Sequence, residues 1–123
     1  MNTRSTKGSV AYHSGAAAEH RIAQDYERRG FTIARRRWRG VGGEIDLITR
    51  DAQGVVFVEV KKSRNFAQAA ERLSTQQMNR IYASAEQFLS EEPDGSLTNA
   101  RFDVALVDAS GAIQIVENAF GHG

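Results

Sequence analysis

Two periods of hydrophobic residue divide the chain. Residues recurring every three to four positions mark helices, and alternation or short apolar runs mark strands. Ser14 reads as an N-cap, and GAAAEHRIAQDYERR follows as a helix ending at Gly30, a residue suited to the position after a helix. Its apolar stripe runs Ile22, Ala23, Tyr26, and Glu19 shares that stripe from beyond the first turn. FTIARRRW, residues 31–38, reads as a first strand. Residues 44–50 and 55–61 read as the second and third, with DAQG between them as a four-residue hairpin loop. NFAQAAERL is a linker or a short helical turn. Ser74 then opens S-x-x-Q with Gln77, a capping box, and Leu73 and Met78 stand at the positions of a hydrophobic staple. Met78, Ile81, Tyr82, Ala85, Phe88 and Leu89 continue at helical spacing, which predicts a helix from Thr75 to about Ser90 packed on a core. EEPDGSLTN is a loop. RFDVALV and AIQIVENAF are two further strands joined around DASG. The order α-β-β-β-α-β-β predicts an α/β sandwich built on a mixed five-stranded sheet flanked by helices.

Length and composition narrow this picture. The 123 residues suffice for one domain with a core, read here as residues 14–123 behind a flexible basic tail, residues 1–13. With no cysteine, disulfides and thiolate metal sites are excluded. No apolar run approaches the ~20 residues of a membrane helix, and MNTRSTKGSVAYHSG has no apolar signal region, so a soluble cytoplasmic protein is expected. The net charge of +1 hides an asymmetry. Residues 1–64 hold 13 Lys/Arg against 7 Asp/Glu, whereas residues 65–123 hold 3 against 8. Such a molecule can turn one basic face to a polyanion.

The stretch GEIDLITRDAQGVVFVEVKK carries the chemistry. Charges inside apolar strands are costly unless paired or bound to a cation. Side chains alternate along a strand, so Glu59 and Lys61 share a face, ~7 Å apart. If Arg50 pairs with Val55 across the DAQG loop, Asp46 stands opposite Glu59, with Cβ atoms ~4.5–5.5 Å apart. Two carboxylates that close require a proton or a cation between them, and Mg²⁺ suits the oxygen ligands, with Mn²⁺ as an alternative. Lys61 can then orient a water or meet negative charge growing on a phosphate. Glu19 offers a further carboxylate, and Glu44 faces the same way as Asp46 at the strand start. The competing reading is a buried ion-pair network, Lys61 with Glu59 and Asp46 with an arginine.

The D-x12-E-x-K arrangement resembles the PD-(D/E)XK nuclease superfamily. GEIDLI, FVEVK, RFDV and NAF, with the G-x-x-x-E of Gly15–Glu19, resemble more narrowly the YraN-like family of predicted endonucleases, which is similar to archaeal Holliday-junction resolvases. This resemblance runs from about Gly15 to Phe120. It implies a restriction-endonuclease-like fold and hydrolysis of DNA phosphodiester bonds, on branched or damaged DNA. It implies Asp46 and Glu59 on the metal, the Val60 carbonyl as a further ligand, Lys61 at the water and Glu19 as the helix carboxylate. Two positions depart from the family's pattern. Lys62 is followed by Ser63, so Arg64 comes one residue late, and Gln77 stands where the family usually has a lysine near the start of the second long helix.

RRRWRG fits a nucleic-acid substrate. Arg35, Arg36, Arg37 and Arg39 suit phosphate contacts, as do Lys62 and Arg64, and Trp38 either stacks on an unpaired base or packs on the sheet. Three classes of function follow: a metal-dependent DNA endonuclease, a nucleic-acid-binding module of the same fold without catalysis, and an interaction protein with a buried charge network. Symmetric cutting of a junction would require a homodimer.

Overall fold

The computed structural model describes residues 3–71 and 74–119, with side chains from Ala16 onward except that of Glu71. Helix α1 is Thr3–Arg28, followed by strands β1 (Thr32–Gly40), β2 (Gly43–Arg50) and β3 (Val55–Lys62). Helices α2 (Phe66–Glu71) and α3 (Thr75–Leu89) come next, then a 3-10 turn at Gly95–Leu97 and strands β4 (Ala100–Val107) and β5 (Ile113–Val116). The expected order is therefore observed, with NFAQAAERL forming the short helix α2. Helix α1 takes in residues 3–13, so Ser14 lies inside it rather than at its cap. No proline interrupts that stretch, and extending a formed helix costs far less than starting one. Leu73 of the staple and Phe120 of NAF lie outside the described residues.

The sheet order is β1-β2-β3-β4-β5. Strands β3 and β4 are parallel and the other neighbours antiparallel, so the sheet is mixed. A parallel step needs a crossover, which α2 and α3 supply. Both faces of β3 are covered, which explains its unbroken VVFV. Val55 and Phe57 join Ile81, Ala85 and Phe88 of α3, whereas Val56 and Val58 join Ile22, Ala23 and Tyr26 of α1. Among the described residues no helix is long and apolar enough to cross a membrane.

Two fastenings hold the elements that matter for the site. The first centres on Asp103 of β4, 1% exposed. It accepts from the Tyr26 hydroxyl of α1 at 2.7 Å, from Arg101 Nε and Nη2 at 2.8 and 3.0 Å, and from the Asn118 N–H at 3.0 Å. Burial first, and then this bond, push the Tyr26 hydroxyl above its ordinary range. Asn118 takes a left-handed φ of 52°, and Ala119 N–H donates to the Phe102 carbonyl at 2.8 Å. RFDV and the start of NAF are thus two halves of one lock between β4, α1 and the turn after β5.

The second fastening holds the β1–β2 turn to α3. Val41 N–H donates to Gln87 Oε1 at 2.7 Å, Gly42 N–H donates to Ser84 Oγ at 3.0 Å, and that hydroxyl donates to the Gly43 carbonyl at 2.9 Å. A Cβ on Gly42 would lie 2.1 Å from the Arg80 carbonyl oxygen. Only glycine permits this approach of turn to helix.

Candidate functional site

Strands β2 and β3 pair as expected from Arg50↔Val55, and the ladder runs to Leu47↔Val58. One step further the same register sets Asp46 against Glu59. There the strands part. Val60 N–H donates to Asp46 Oδ2 at 2.8 Å, so a side chain takes the bond that a ladder carbonyl would have accepted. Strict alternation also breaks here. Ile45 and Ile48 both pack on the α3 side while Leu47 packs on the α1 side. The neighbouring strand answers the slip: Arg37 stands between the residues paired with Leu47 and Ile45 and adopts a left-handed φ of 49°. The carboxylates therefore occupy a fork in the sheet, with β3 continuing beside β4 to Lys62↔Val107.

Glu59 is 5% exposed. Its Oε2 accepts from Gln77 Nε2 at 2.9 Å, while its buried Oε1 has no hydrogen-bond partner among the described residues. Ionised carboxylates can only accept, so Asp46 offers that oxygen nothing unless a proton or a cation lies between them. Burial foremost, then the adjoining Asp46 carboxylate, push Glu59 up to about 9, against the pull of Lys61 and Gln77. Gln77 is also the third helical residue after the Ser74 cap, whose hydroxyl accepts the Gln77 N–H at 3.1 Å. Its side chain, which a capping box would turn back on the helix end, is used on Glu59.

Lys61 is half-buried, one residue pair beyond Val60 in the β3–β4 ladder. It makes no ion pair or side-chain hydrogen bond among the described residues, and neither does Asp46 pair with an arginine. The buried ion-pair network anticipated as a competing reading is thus not what these side chains form. A cleft of about 310 Å³ opens over Glu59, lined also by Gly42, Glu44, Gln77 and Arg80.

Glu19 faces the sheet but is held by Arg37, Nε to Oε2 at 2.8 Å. The structure does not gather it with Asp46 and Glu59, and among the described residues no three acidic, histidine or cysteine side chains cluster. Arg37 connects the two parts, since it stands across β2 from Asp46. Trp38 packs in the α3-side core, its ring edge-on to Phe88 at 5.5 Å, which is the packing alternative for this residue. Arg35, Arg36 and Arg39 are exposed on β1, an edge strand, and Lys62 and Arg64 are exposed at the end of β3.

Sequence reasoning passed over Gln77 as a contact to Glu59, Arg80 as a wall of the cleft, and Asp103 as a lock. Asp103 carried the same signal as Asp46 and Glu59, an acid inside an apolar strand. Gln77 was marked only as a capping residue and as a departure from the family's lysine, and Arg80 carried no signal, because their placement follows from how α3 docks on the β1–β2 turn.

Comparison with known proteins adds kinship. The family described as "Uncharacterised protein family UPF0102" matches residues 18–107, a span that holds Glu19, Asp46, Glu59, Lys61 and Asp103. A UPF0102 protein of Ruegeria pomeroyi is 58% identical over 123 residues, covering all of both chains. One from Cereibacter sphaeroides is 58% identical over 113 residues, 92% of this chain and 97% of its own. One from Dinoroseobacter shibae is 44% identical over 115 residues, 94% of this chain and 86% of its own. The chain belongs to the UPF0102 family.

Proposed function

We propose that this protein is a metal-dependent endonuclease that hydrolyses DNA phosphodiester bonds, with a restriction-endonuclease-like arrangement of the PD-(D/E)XK kind. The observation that carries this reading is the fork where the buried Glu59 carboxylate, whose Oε1 meets no protein donor among the described residues, adjoins the Asp46 carboxylate. Two hard carboxylate donors with one unsatisfied oxygen fit a hard divalent cation, Mg²⁺ or Mn²⁺. Asp46 and Glu59 would hold it, with the Val60 carbonyl as a third protein ligand. When bound, the cation supplies Lewis acidity at the phosphoryl oxygen and at the attacking water.

The chain's own groups do the rest. Gln77 fixes the Glu59 carboxylate through Oε2, leaving Oε1 turned to the ligand position. Lys61, partly exposed beside Glu59 and without an ion pair among the described residues, orients the attacking water and meets the charge that grows on the phosphate. Water adds to phosphorus, the bond to one bridging oxygen breaks, and that oxygen leaves with a proton. Arg35, Arg36, Arg39, Lys62 and Arg64 hold the backbone on either side. Trp38 braces β1 beneath its arginines, and Glu19 positions Arg37 behind Asp46.

The test is a cleavage panel of linear, nicked, flapped and four-way DNA with Mg²⁺ or Mn²⁺. The expected result is cleavage of at least one substrate, abolished by EDTA and by Asp46→Asn. DNA binding without cleavage of any substrate would leave the non-catalytic module instead.

A further inference from the structure

Arg80 is exposed on the cleft wall, and its guanidinium makes no ion pair or hydrogen bond among the described residues. Its neighbours on the same side of α3 are all engaged. Gln77 donates to Glu59, Ser84 bonds Gly42 and Gly43, and Gln87 accepts from Val41. These residues follow at three- and four-residue spacings, so they form one polar seam along the helix. Arg80 is the charged member of that seam and, among the described residues, the one without a partner. Its backbone is pinned, because the Arg80 carbonyl abuts Gly42 so closely that a single added carbon would collide at 2.1 Å. The side chain thereby starts from a fixed point on the cleft wall, in a cleft that also holds the side chains of Glu44, Glu59 and Gln77.

A permanently charged, planar donor fork facing an open cleft is suited to a phosphate. No ion pair joins it to Glu44 within 4.0 Å. We infer that Arg80 binds a backbone phosphate neighbouring the scissile one, and so sets where along the strand the Asp46–Glu59 centre cuts. The inference rests on the endonuclease reading above and assigns the α3 side of the cleft to the substrate strand. On this account the DNA lies between two basic walls, the edge strand β1 and Arg80, with the carboxylates at the floor.

Arg80→Ala and Arg80→Lys are compared with the wild type by fluorescence anisotropy on labelled DNA, by steady-state cleavage and by thermal melting. A phosphate contact made equally in ground and transition states predicts a KM raised about tenfold with kcat little changed, the scale of one lost charge-assisted bond. The slope of log affinity against log salt should fall by about one, and Arg80→Lys should restore that slope. Melting temperatures should stay together. Wild-type affinity and slope in Arg80→Ala overturn the inference while leaving the endonuclease reading standing. So does a loss of affinity that tracks a lowered melting temperature and is not rescued by lysine. A wild type that neither binds nor cuts any DNA overturns both.

Discussion

Lys61→Ala leaves the fold and the carboxylate pair in place and slows single-turnover cleavage by ~10²–10³, the scale of removing one preorganised charge-stabilising group. What Lys61 touches decides this outcome. Had it been the ion partner of Glu59 in an apolar strand, its removal would strand a buried charge and cost ~3–5 kcal/mol. It instead stands half-buried with no ion pair among the described residues, and Glu59 is already served by Gln77. Its influence on Glu59 is electrostatic, opposing the upward push of burial and of Asp46. Without Lys61, Glu59 holds its proton more tightly, and the melting temperature should barely move. Affinity for DNA should hardly change, because one phosphate contact of many is lost. A melting temperature that collapses, or cleavage at the wild-type rate, contradicts the role given to Lys61.

Asp103→Ala should behave in the opposite way, destabilising the protein by ~3–5 kcal/mol while acting on no catalytic group. Asp103 is buried and accepts four bonds from three residues on three segments. Its loss leaves the Tyr26 hydroxyl and the Asn118 N–H without an acceptor, at ~1–3 kcal/mol for each buried group. Arg101 adds less, since at 34% exposure it can turn to water. Urea denaturation followed by circular dichroism measures the shift, and a loss below ~1 kcal/mol would show that the lock is not needed. The fraction still folded should bind divalent cations as the wild type does, because Asp103 lies outside the fork.

Three acids explain how much of the site was legible. Asp46, Glu59 and Asp103 share one signal, a charge in an apolar strand, and that signal marks cost without telling its use. The hairpin register separated the first two from the third, since a four-residue loop fixes Arg50 against Val55 and hence Asp46 near Glu59. Simple alternation holds along the apolar part of β3, with Val55 and Phe57 packed against α3 and Val56 and Val58 against α1. The start of α3 was equally plain, because S-x-x-Q is a local chemical device and Ser74 caps through the Gln77 N–H.

What could not be read depends on how distant parts meet. The slip between Ile45 and Ile48 needs a left-handed Arg37 on the neighbouring strand, and no local rule places arginine there. Glu19 lies on the inward stripe of α1, but that stripe does not say which side chain it meets, and in the fold it pairs with Arg37. The docking of α3 rests on the glycines of GVGG, which pattern marks as a turn without saying what they must approach.

The account stands most directly on whether Asp46 and Glu59 hold a divalent cation. Metal-free, Glu59 keeps its proton from its ordinary 4.5 up to about 9, so the folded state binds one proton more than the unfolded state across that window. Stability without metal is thus fullest below the unfolded value and declines as pH rises towards 9. Binding a cation must displace the proton. Calorimetric titration with Mn²⁺ at pH 7.5, in buffers of different ionisation enthalpy, reads both quantities. The account predicts one site releasing about one proton per ion, with Asp46→Asn weakening affinity by more than about tenfold because one of two charged ligands is lost. Equal affinity in wild type and Asp46→Asn, or binding with no proton released, would contradict it.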